Sequence, residues 1–227
     1  MRRILVFFLS LTFLILPARA AEVKYAALTF DDGPSGKYTR QLLEGLYDRG
    51  VKATFLLCGY RMTQYPEVTA QIFQEGHEIG FHGYSHASMK SMSRRTIARE
   101  LMDTEALLPE GCRPVFLRPP GGFRTDAVVQ VAEARNLAIL HWSVDPMDWK
   151  THDAAAIEQA VLTNIRDGDI VLLHDMSQSS VQAALNIIDA LQKENFELVT
   201  VSELARLRGI KPKPGQVYTR FPKKEEK

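Results

Sequence analysis

The sequence YAALTFDDGP spans residues 25–34 and carries an apolar run directly into two acids. Asp31 and Asp32 close a segment with the composition of a buried strand, and Gly33-Pro34 ends it at once. In α/β folds the chemistry lies at the carboxyl ends of the strands, and successive side chains of a strand point in opposite directions. We therefore expect the two carboxylates to serve different purposes, one binding a cation and one handling a proton. A solvated turn is the alternative, because all four terminal residues favour turns.

Similar apolar runs recur along the chain and alternate with segments of helical spacing. The runs are 25–30, 53–58, 79–81, 115–118, 138–144, 170–174 and 197–201. The helical segments are 38–49, 66–75, 94–108, 126–135, 154–165 and 180–193, with Ser93 and Thr125 as N-caps. Strands that alternate with helices imply a parallel sheet. Seven such units without a glycine-rich phosphate loop favour closure into a barrel over an open nucleotide-binding sheet.

Composition indicates a globular protein, and the first residues indicate export. The 227 residues are 45% hydrophobic with a formal charge of +1, which argues against a nucleic-acid partner. A basic start, an apolar run over 4–16 and the ending Ala18-Arg19-Ala20 are typical of a secretory signal peptide. The run of about 13 residues is shorter than the roughly 20 that span a bilayer, so no membrane span is expected after cleavage. A retained anchor is the alternative.

The expected layout is a signal peptide over 1–20, a single domain over 21–210 and a flexible tail over 211–227 that is rich in Lys, Pro and Glu. Cleavage after Ala20 removes three arginines and changes the formal charge from +1 to −2. Export permits a disulfide. Cys58 and Cys112 nevertheless adjoin strands predicted to be too far apart for a bridge, so both thiols are expected to be free and buried.

Chemically capable side chains follow five of the apolar runs. They are Asp31-Asp32, His82 with His86, Arg118, Asp145 with Asp148, and His174-Asp175. Because the carboxyl ends of parallel strands meet at one edge, we expect all five groups to form a single site. The spacing His82-x-x-x-His86 places two imidazoles on one helical face or turn, and Asp32 would supply a third ligand. Three protein ligands that leave coordination positions open are typical of catalytic metal sites. For His82 and His86 taken alone, the alternative is a pair of ordinary surface histidines.

The other three histidines are interpreted as structural. His77-Glu78 begins like a metalloprotease helix, but the next histidine comes five residues after His77 instead of four, so the His-Glu-x-x-His pattern fails. His141 and His152 are interpreted in the same way.

The motifs, taken in order, resemble those of the polysaccharide deacetylases, which form the NodB-homology group or carbohydrate esterase family four. The matching segments are 29–34 (TFDDGP), His82-x-x-x-His86, 118–120 (RPP), Asp145-x-x-Asp148-Trp149 and Leu172-x-His174. The resemblance runs from about Lys24 to Leu207. It implies a distorted (β/α)7 barrel and a metal-dependent hydrolase that removes N-acetyl groups from amino sugars.

The resemblance also implies a role for each motif residue. The implied catalytic residues are the general base Asp31, the general acid His174, Arg118 to orient the base and Asp148 to hold the acid. The implied metal ligands are Asp32, His82 and His86, with Zn²⁺ as the usual ion and Co²⁺ or Mn²⁺ as alternatives. Trp149 and Leu172 are the implied lining of the cleft that receives the acetyl methyl group. Backbone N–H groups around Gly121 are expected, from the chemistry, to bind the substrate by stabilising the oxyanion. Amide hydrolysis independently requires a polarised carbonyl, a deprotonated water and a protonated amine, which a metal, a carboxylate and an imidazole supply.

Two glycines depart from the family pattern. Gly83 stands where a Ser or Thr usually follows the first metal histidine and braces the loop. Gly121 stands where an aromatic or other larger residue often follows Arg-x-Pro. We therefore expect a less well-braced metal loop and a more open wall of the cleft, with no ligand lost.

The sequence as a whole predicts a secreted, monomeric enzyme, associated with the cell wall, that acts on acetylated glycans. Its predicted substrates are peptidoglycan or chitin-like oligomers that contain N-acetylglucosamine. One alternative is a hydrolase of another amide or of an O-acetyl ester that uses the same site. Another is a catalytically inactive glycan-binding module, although such a module would require neither a base nor an acid.

Overall fold

A parallel sheet of eight strands forms the centre of the part that the computed structural model describes, residues 22–223. The strands are β1 (Lys24–Asp31), β2 (Thr54–Leu57), β3 (Glu78–Phe81), β4 (Phe116–Leu117), β5 (Ala138–Leu140), β6 (Ile170–His174), β7 (Phe196–Leu198) and β8 (Val217–Tyr218). Seven of them follow one another in the order β6-β1-β2-β3-β4-β5-β8, and β7 pairs with the first residues of β1. Each of these strand pairs is parallel.

The two ends of this strand order meet only through short bridges, which makes the barrel distorted. Asp169, directly before β6, forms an isolated bridge with Arg220, which follows β8. Val144 forms a second isolated bridge with Val171 of β6. The sheet therefore curls into an incompletely closed barrel of seven strands, and the predicted distorted (β/α)7 barrel is confirmed.

Helices cover the outside of the sheet. They are α1 (Tyr38–Asp48), α2 (Gly59–Gln64), α3 (Pro66–Gln74), α4 (Arg94–Glu105), α5 (Asp126–Ala134), α6 (Ala154–Asn164), α7 (Gln178–Lys193) and α8 (Val201–Leu207). The predicted N-caps are present, since the side chains of Ser93 and Thr125 accept hydrogen bonds from the backbone of the first turns of α4 and α5. None of the helices within residues 22–223 has the length and apolar character needed to cross a bilayer.

The packing of the core explains why the strands appear in the sequence as continuous apolar runs. In β1, Leu28 and Phe30 pack with the helices, whereas Ala27 faces a second cluster inside the barrel that includes Leu56 and Phe116. A strand that is buried on both faces has no polar alternation. Full burial of a Leu or Phe side chain contributes about 1.5–3 kcal/mol to the stability of the fold, because apolar surface is removed from water. Burial on both faces therefore fixes the position of β1, and with it the acids at its end.

Two predictions about the carboxyl-terminal part were wrong, and one helix elsewhere was missed. The run 197–201 is not one strand, because β7 ends at Leu198 and Thr200 caps α8, its hydroxyl accepting from the Glu203 N–H. Helix α2 was not predicted. The tail is not loose throughout, since β8 pairs with β5 and Phe221 is fully buried.

Two further expectations concern the cysteines and the termini. Cys58 and Cys112 are free and buried, as predicted. The predicted signal peptide over 1–20 lies outside the described residues.

Candidate active site

The motif residues meet in one cavity at the carboxyl ends of the strands. Asp31 ends β1 and His174 ends β6, while His82 and Arg118 directly follow β3 and β4. The cavity has a volume of about 390 Å³. Its lining includes the motif residues Asp31, Asp32, His82, His86, Gly121, Trp149, Leu172 and His174. The structure therefore brings the predicted residues from five separate segments together.

Asp31 and Asp32 both face this cavity, although strict alternation along a strand would send them to opposite sides. Asp32 has a φ of 72°, in the left-handed region that residues other than glycine rarely adopt. This turn of the backbone ends β1 and brings the second carboxylate beside the first. The expectation of opposite directions was therefore wrong. The two carboxylates nevertheless lie in different environments, because Asp31 is buried and Asp32 is partly exposed.

Asp32, His82 and His86 form a compact group of possible ligands. The Asp32 Oδ1 atom lies 3.3 Å from His82 Nε2 and 2.9 Å from His86 Nε2. One ligand atom from each residue lies within 4.8 Å of the others. The His82 side chain is buried and that of His86 is 43% exposed, so the group opens towards solvent on the His86 side.

The donor set fits a divalent metal ion. Asp32 Oδ1 is buried and makes no hydrogen bond despite the two nearby imidazole nitrogens. His82 donates its Nδ1–H to the Arg118 carbonyl at 2.7 Å, so its Nε2 presents a lone pair towards Asp32. Ligand atoms about 2.0–2.1 Å from a tetrahedral Zn²⁺ would be about 3.3 Å apart, close to the separations observed. Three protein ligands that border an open cavity are the arrangement of a catalytic metal site.

Asp31 is held by a fully buried arginine. Arg118 Nη1 donates to Asp31 Oδ1 at 2.6 Å and to Thr29 Oγ1 at 2.8 Å. The other guanidinium nitrogens donate to the carbonyls of Leu140 and His141. Because Arg118 engages only Oδ1, the second oxygen of Asp31 remains free and lies 3.7 Å from His82 Nε2.

His174 is held by Asp148 on the other side of the ligand group. Its Nδ1–H donates to Asp148 Oδ1 at 2.7 Å, and its backbone N–H donates to Asp148 Oδ2 at 2.8 Å. The carboxylate is therefore fully engaged and fixes the orientation of the ring. His174 Nε2 faces the cavity, 4.0 Å from Asp32 Oδ2.

Burial and neighbouring charges shift the pKa values of these groups in opposite directions. Burial alone would raise the pKa of the Asp32 carboxyl, but the adjoining imidazoles of His82 and His86 outweigh it and hold the pKa well below its usual range. Contact with Asp32 raises the pKa of His86. Burial would lower the pKa of His174, yet Asp148, with help from Asp31 and Asp32, raises it to about 9.

An aromatic ring lies beside Gly121, which lines the cavity. A Cβ atom on Gly121 would lie 2.8 Å from the ring of Phe123, and Gly121 has a φ of 71°. The Phe123 ring thus occupies the space beside Gly121 in which a larger side chain at residue 121 would begin. On the outer side of the cavity the Trp149 side chain is 60% exposed, whereas Leu172 is buried in the floor.

Several residues of the site carried no sequence signal. Thr29 binds Arg118 from within an apolar run, and Trp142 lines the cavity without belonging to any motif. Only packing reveals these two residues. Asp175, which the sequence grouped with His174, is fully buried, and burial raises its pKa to about 7. The histidines interpreted as structural lie outside the ligand group, and His77 accepts a hydrogen bond from the Ala53 N–H near the opposite end of the strands.

Comparisons with known proteins agree with this geometry. The family model described as "Polysaccharide deacetylase" matches residues 18–140. A peptidoglycan-N-acetylglucosamine deacetylase of Bacillus cereus is 36% identical, and the alignment covers 82% of this chain and 90% of that protein. The peptidoglycan-N-acetylmuramic acid deacetylase PdaC of Bacillus subtilis is 35% identical over 82% of this chain, which spans only 39% of that longer protein.

A solved structure extends the likeness to three dimensions. The family 4 acetyl xylan esterase of Clostridium thermocellum, described in complex with a cobalt ion, superposes with a TM-score of 0.82 at 32% identity. The superposition covers 88% of this chain and all of that one. With the ordered motifs, the distorted barrel and the shared cavity, these matches show that the chain belongs to the polysaccharide deacetylase family.

Proposed function

We propose that this chain is an exported, metal-dependent hydrolase that removes N-acetyl groups from N-acetylglucosamine units of a glycan, with peptidoglycan as the preferred substrate. The observation that carries the proposal is the order of groups across the cavity. The Asp32–His82–His86 group lies between the free oxygen of Asp31, 3.7 Å from His82, and the Nε2 of His174, 4.0 Å from Asp32. A proton acceptor and a proton donor thus flank one candidate cation site.

Asp32, His82 and His86 would hold the metal ion. When bound, a divalent ion supplies Lewis-acid polarisation of the acetamide carbonyl and lowers the pKa of a nearby water. Zn²⁺ suits this set of one carboxylate and two imidazoles, and Co²⁺ or Mn²⁺ are the alternatives.

Asp31 would act as the general base. Its Oδ1 is bound to Arg118, so the free Oδ2 is the atom that takes a proton from the attacking water. Water then adds to the acetamide carbon. The buried guanidinium keeps the carboxylate in one orientation and balances its charge, which a base in a buried position requires.

His174 would act as the general acid. Asp148 holds its Nδ1–H, so Nε2 is the atom that delivers a proton to the departing nitrogen. The C–N bond breaks, and the products are acetate and the free amine of the sugar. An amine is a poor leaving group until it is protonated, so base and acid are both needed for turnover.

The cavity supports a glycan chain as the substrate. Trp149 lines the cavity and exposes its ring, Phe123 is exposed beside Gly121, and the amphipathic faces of aromatic side chains suit sugar rings. The two curated relatives described above bear names that specify peptidoglycan. A chitin-like oligomer presents the same N-acetylglucosamine unit and is the second substrate to test.

A hydrolase of O-acetyl esters is the competing reading. It is favoured by the likeness to the acetyl xylan esterase, because an ester carbonyl would fit the same base, acid and ion. An inactive glycan-binding module is less consistent with a complete set of Asp31, Arg118, Asp148 and His174.

Acetate release distinguishes these readings. The metal-loaded protein would be incubated with peptidoglycan, chitooligosaccharides and acetylated xylan, and we expect release from the N-acetylated glycans. Asp31→Asn and His82→Ala should abolish it, whereas Asp103→Asn on the exposed face of α4 should not. Release from xylan alone would establish the esterase, and glycan binding without any release would establish the inactive module.

Export and oligomeric state form a separate part of the proposal. We infer cleavage after Ala20 and a monomer that acts outside the cytoplasm at the cell wall. Amino-terminal sequencing of the protein recovered outside the cytoplasm, together with size-exclusion chromatography coupled to light scattering, tests both. An intact Met1 on a cytoplasmic protein would contradict the export proposal.

A further inference from the structure

The loop that carries both metal histidines has an unusual backbone. This His82–His86 loop, residues 82–86, follows β3 and leads towards the 3₁₀ turn Met89–Ser91. Gly83 has a φ of 79° and His86 a φ of 61°, so the chain twice enters the left-handed region within four residues. For a residue other than glycine such a conformation costs of order 1–3 kcal/mol and persists only where the surroundings hold it. The loop therefore needs external support.

One side of the loop is supported by α2. The Gly59 N–H donates to the Gly83 carbonyl and the Tyr60 N–H donates to the Tyr84 carbonyl, each at 3.0 Å. The approach is close, since a Cβ atom on Gly59 would lie 2.3 Å from the Tyr84 ring. These bonds satisfy carbonyls of the loop and leave its N–H groups to another partner.

That partner is Glu100, a residue of α4 that lies outside all five motifs. Its Oε2 accepts from the backbone N–H of Tyr84 at 2.7 Å and of Ser85 at 2.8 Å. The Ser85 hydroxyl adds contacts to both carboxylate oxygens, at 2.9 and 3.0 Å. Hydrogen bonds to an ionised carboxylate are shorter and about twice as strong as neutral ones. One side chain thus fixes two consecutive peptide groups between the two histidines.

Gly83 leaves room for this carboxylate. A Cβ atom on Gly83 would lie 3.3 Å from Glu100 Oε2 and 3.2 Å from the Met89 methyl group. The loop therefore does not lack a brace, contrary to the expectation from its glycine. The brace comes from a neighbouring helix instead of from residue 83.

We propose that Glu100 is a positioning residue for the metal site, which holds the His82–His86 loop so that both imidazoles converge on Asp32. The inference rests on the proposed metal site. Glu100 touches neither ligand side chain, so it acts through the backbone of Tyr84 and Ser85. Losing it should leave all three ligands present but poorly arranged, and outer-sphere changes of this kind typically weaken metal binding about 10- to 100-fold.

The test compares metal affinity with stability in matched variants. Dissociation constants for Zn²⁺ and Co²⁺ are measured by competition with a chromophoric chelator for the wild-type chain, Glu100→Ala, Glu100→Gln, Ser85→Ala and the control Asp103→Asn. We expect a 10- to 100-fold weakening for Glu100→Ala, a smaller loss for Glu100→Gln and Ser85→Ala, and none for Asp103→Asn. At residue 100, glutamine should preserve affinity better than alanine, because its Oε1 can still accept both backbone N–H groups without the charge.

Two further measurements separate positioning from general destabilisation. Urea unfolding of the metal-free proteins should leave Glu100→Ala near the wild type, and the visible spectrum of its Co²⁺ form should change while that of Asp103→Asn does not. Wild-type affinity in Glu100→Ala would overturn this inference alone. An equal loss of metal affinity in Asp103→Asn would overturn it as well. So would a loss of affinity in Glu100→Ala that is accompanied by an equal loss in the free energy of unfolding of the metal-free protein. Failure of the wild-type chain to bind either ion would overturn the proposed metal site and this inference together.

Discussion

Asp31 and His174 are register partners, paired across the adjacent parallel strands β1 and β6. Neighbouring strands lie about 4.8 Å apart, and paired residues point to the same face of a sheet. The proposed proton acceptor and proton donor are therefore spaced by backbone hydrogen bonds within the sheet and not by loops. Asp32 comes directly after the last residue of β1, and its carboxylate lies next to the imidazoles of His82 and His86.

Asp31→Asn should separate turnover from metal binding. The amide cannot take a proton, and loss of a general base typically lowers kcat by about 10²- to 10⁴-fold. Asp31 is not one of the proposed ligands, so chelator competition should give a metal affinity near that of the wild type. His82→Ala should instead lose the metal itself. Retained turnover in Asp31→Asn would remove this residue from the proposed mechanism.

Asp148→Asn should impair the acid without disturbing the ligands. The carboxylate accepts two hydrogen bonds from His174, and an amide preserves only one acceptor. We expect kcat to fall by about 10²-fold or more, with little change in KM or metal affinity. Steady-state kinetics on a soluble chitooligosaccharide, combined with chelator competition, provides both readouts. A rise in KM at constant kcat would indicate that Asp148 serves substrate binding instead.

Arg118→Met should destabilise the fold strongly. The guanidinium is fully buried and its removal leaves the buried Asp31 carboxylate without a counter-charge. Breaking a buried pair in this way costs about 3–5 kcal/mol. Urea unfolding followed by circular dichroism measures the change. Arg99→Met is the matched control, since Arg99 lies on the surface of α4 and should change the free energy of unfolding by less than about 0.5 kcal/mol.

Phe123→Ala should weaken binding of the glycan and leave the chemistry intact. The ring lies beside Gly121, a residue of the cavity lining, and Phe123 is not one of the proposed ligand, base or acid residues. We expect KM for a chitooligosaccharide to rise about 5- to 30-fold with kcat nearly unchanged, because removal of uniform binding acts on KM. An equal effect on kcat would show that the wall also positions the acetyl group for reaction.

Stability should fall as the pH drops, with a contribution from His77. Burial, with a smaller effect of the Lys52 charge, lowers the pKa of His77 in the folded protein to about 4. Its Nδ1 accepts from the Ala53 N–H, so folding requires the neutral ring. The unfolded chain takes up this proton near pH 6.5, so the stabilisation is complete above that pH and is lost as the pH falls towards 4.

Urea unfolding at a series of pH values measures this contribution. His77 should account for a loss of roughly 3 kcal/mol between pH 6.5 and pH 4. His77→Gln keeps an acceptor for Ala53 and cannot titrate, so its stability should decline less over the same interval. Parallel curves for the two proteins would contradict the prediction.

The sequence predicted the helices and strands best where the hydrophobic periodicity extended over many residues and where capping residues marked the ends. The predicted helix 126–135 corresponds to α5, Asp126–Ala134, because Thr125 caps it visibly. The boundary between β7 and α8 was missed although Thr200-x-x-Glu203 has the spacing of a capping box. Strand β8 has only two residues in a segment rich in lysine and proline, so no local pattern could reveal that it pairs with β5.

The candidate site likewise contains residues that the sequence could predict and residues that it could not. The motif residues could be grouped in advance, because each follows an apolar run and parallel strands end at one edge. Phe123 and Glu100 could not be identified from local sequence. Their contacts with Gly121 and with the His82–His86 loop depend on how a turn and a helix pack, which no local pattern records.

The pairing of β1 with β6 also sets the order in which the protein becomes competent during synthesis. Asp32, His82 and His86 all lie within the first 86 residues, whereas the hydroxyl of Thr29 reaches a carbonyl 142 residues further along the chain. A nascent polypeptide thus contains the three proposed ligands long before the ribosome has made β6. The proposed base and acid come together only when β6 has been made and has docked beside β1, so we expect hydrolytic capacity to arise late in synthesis.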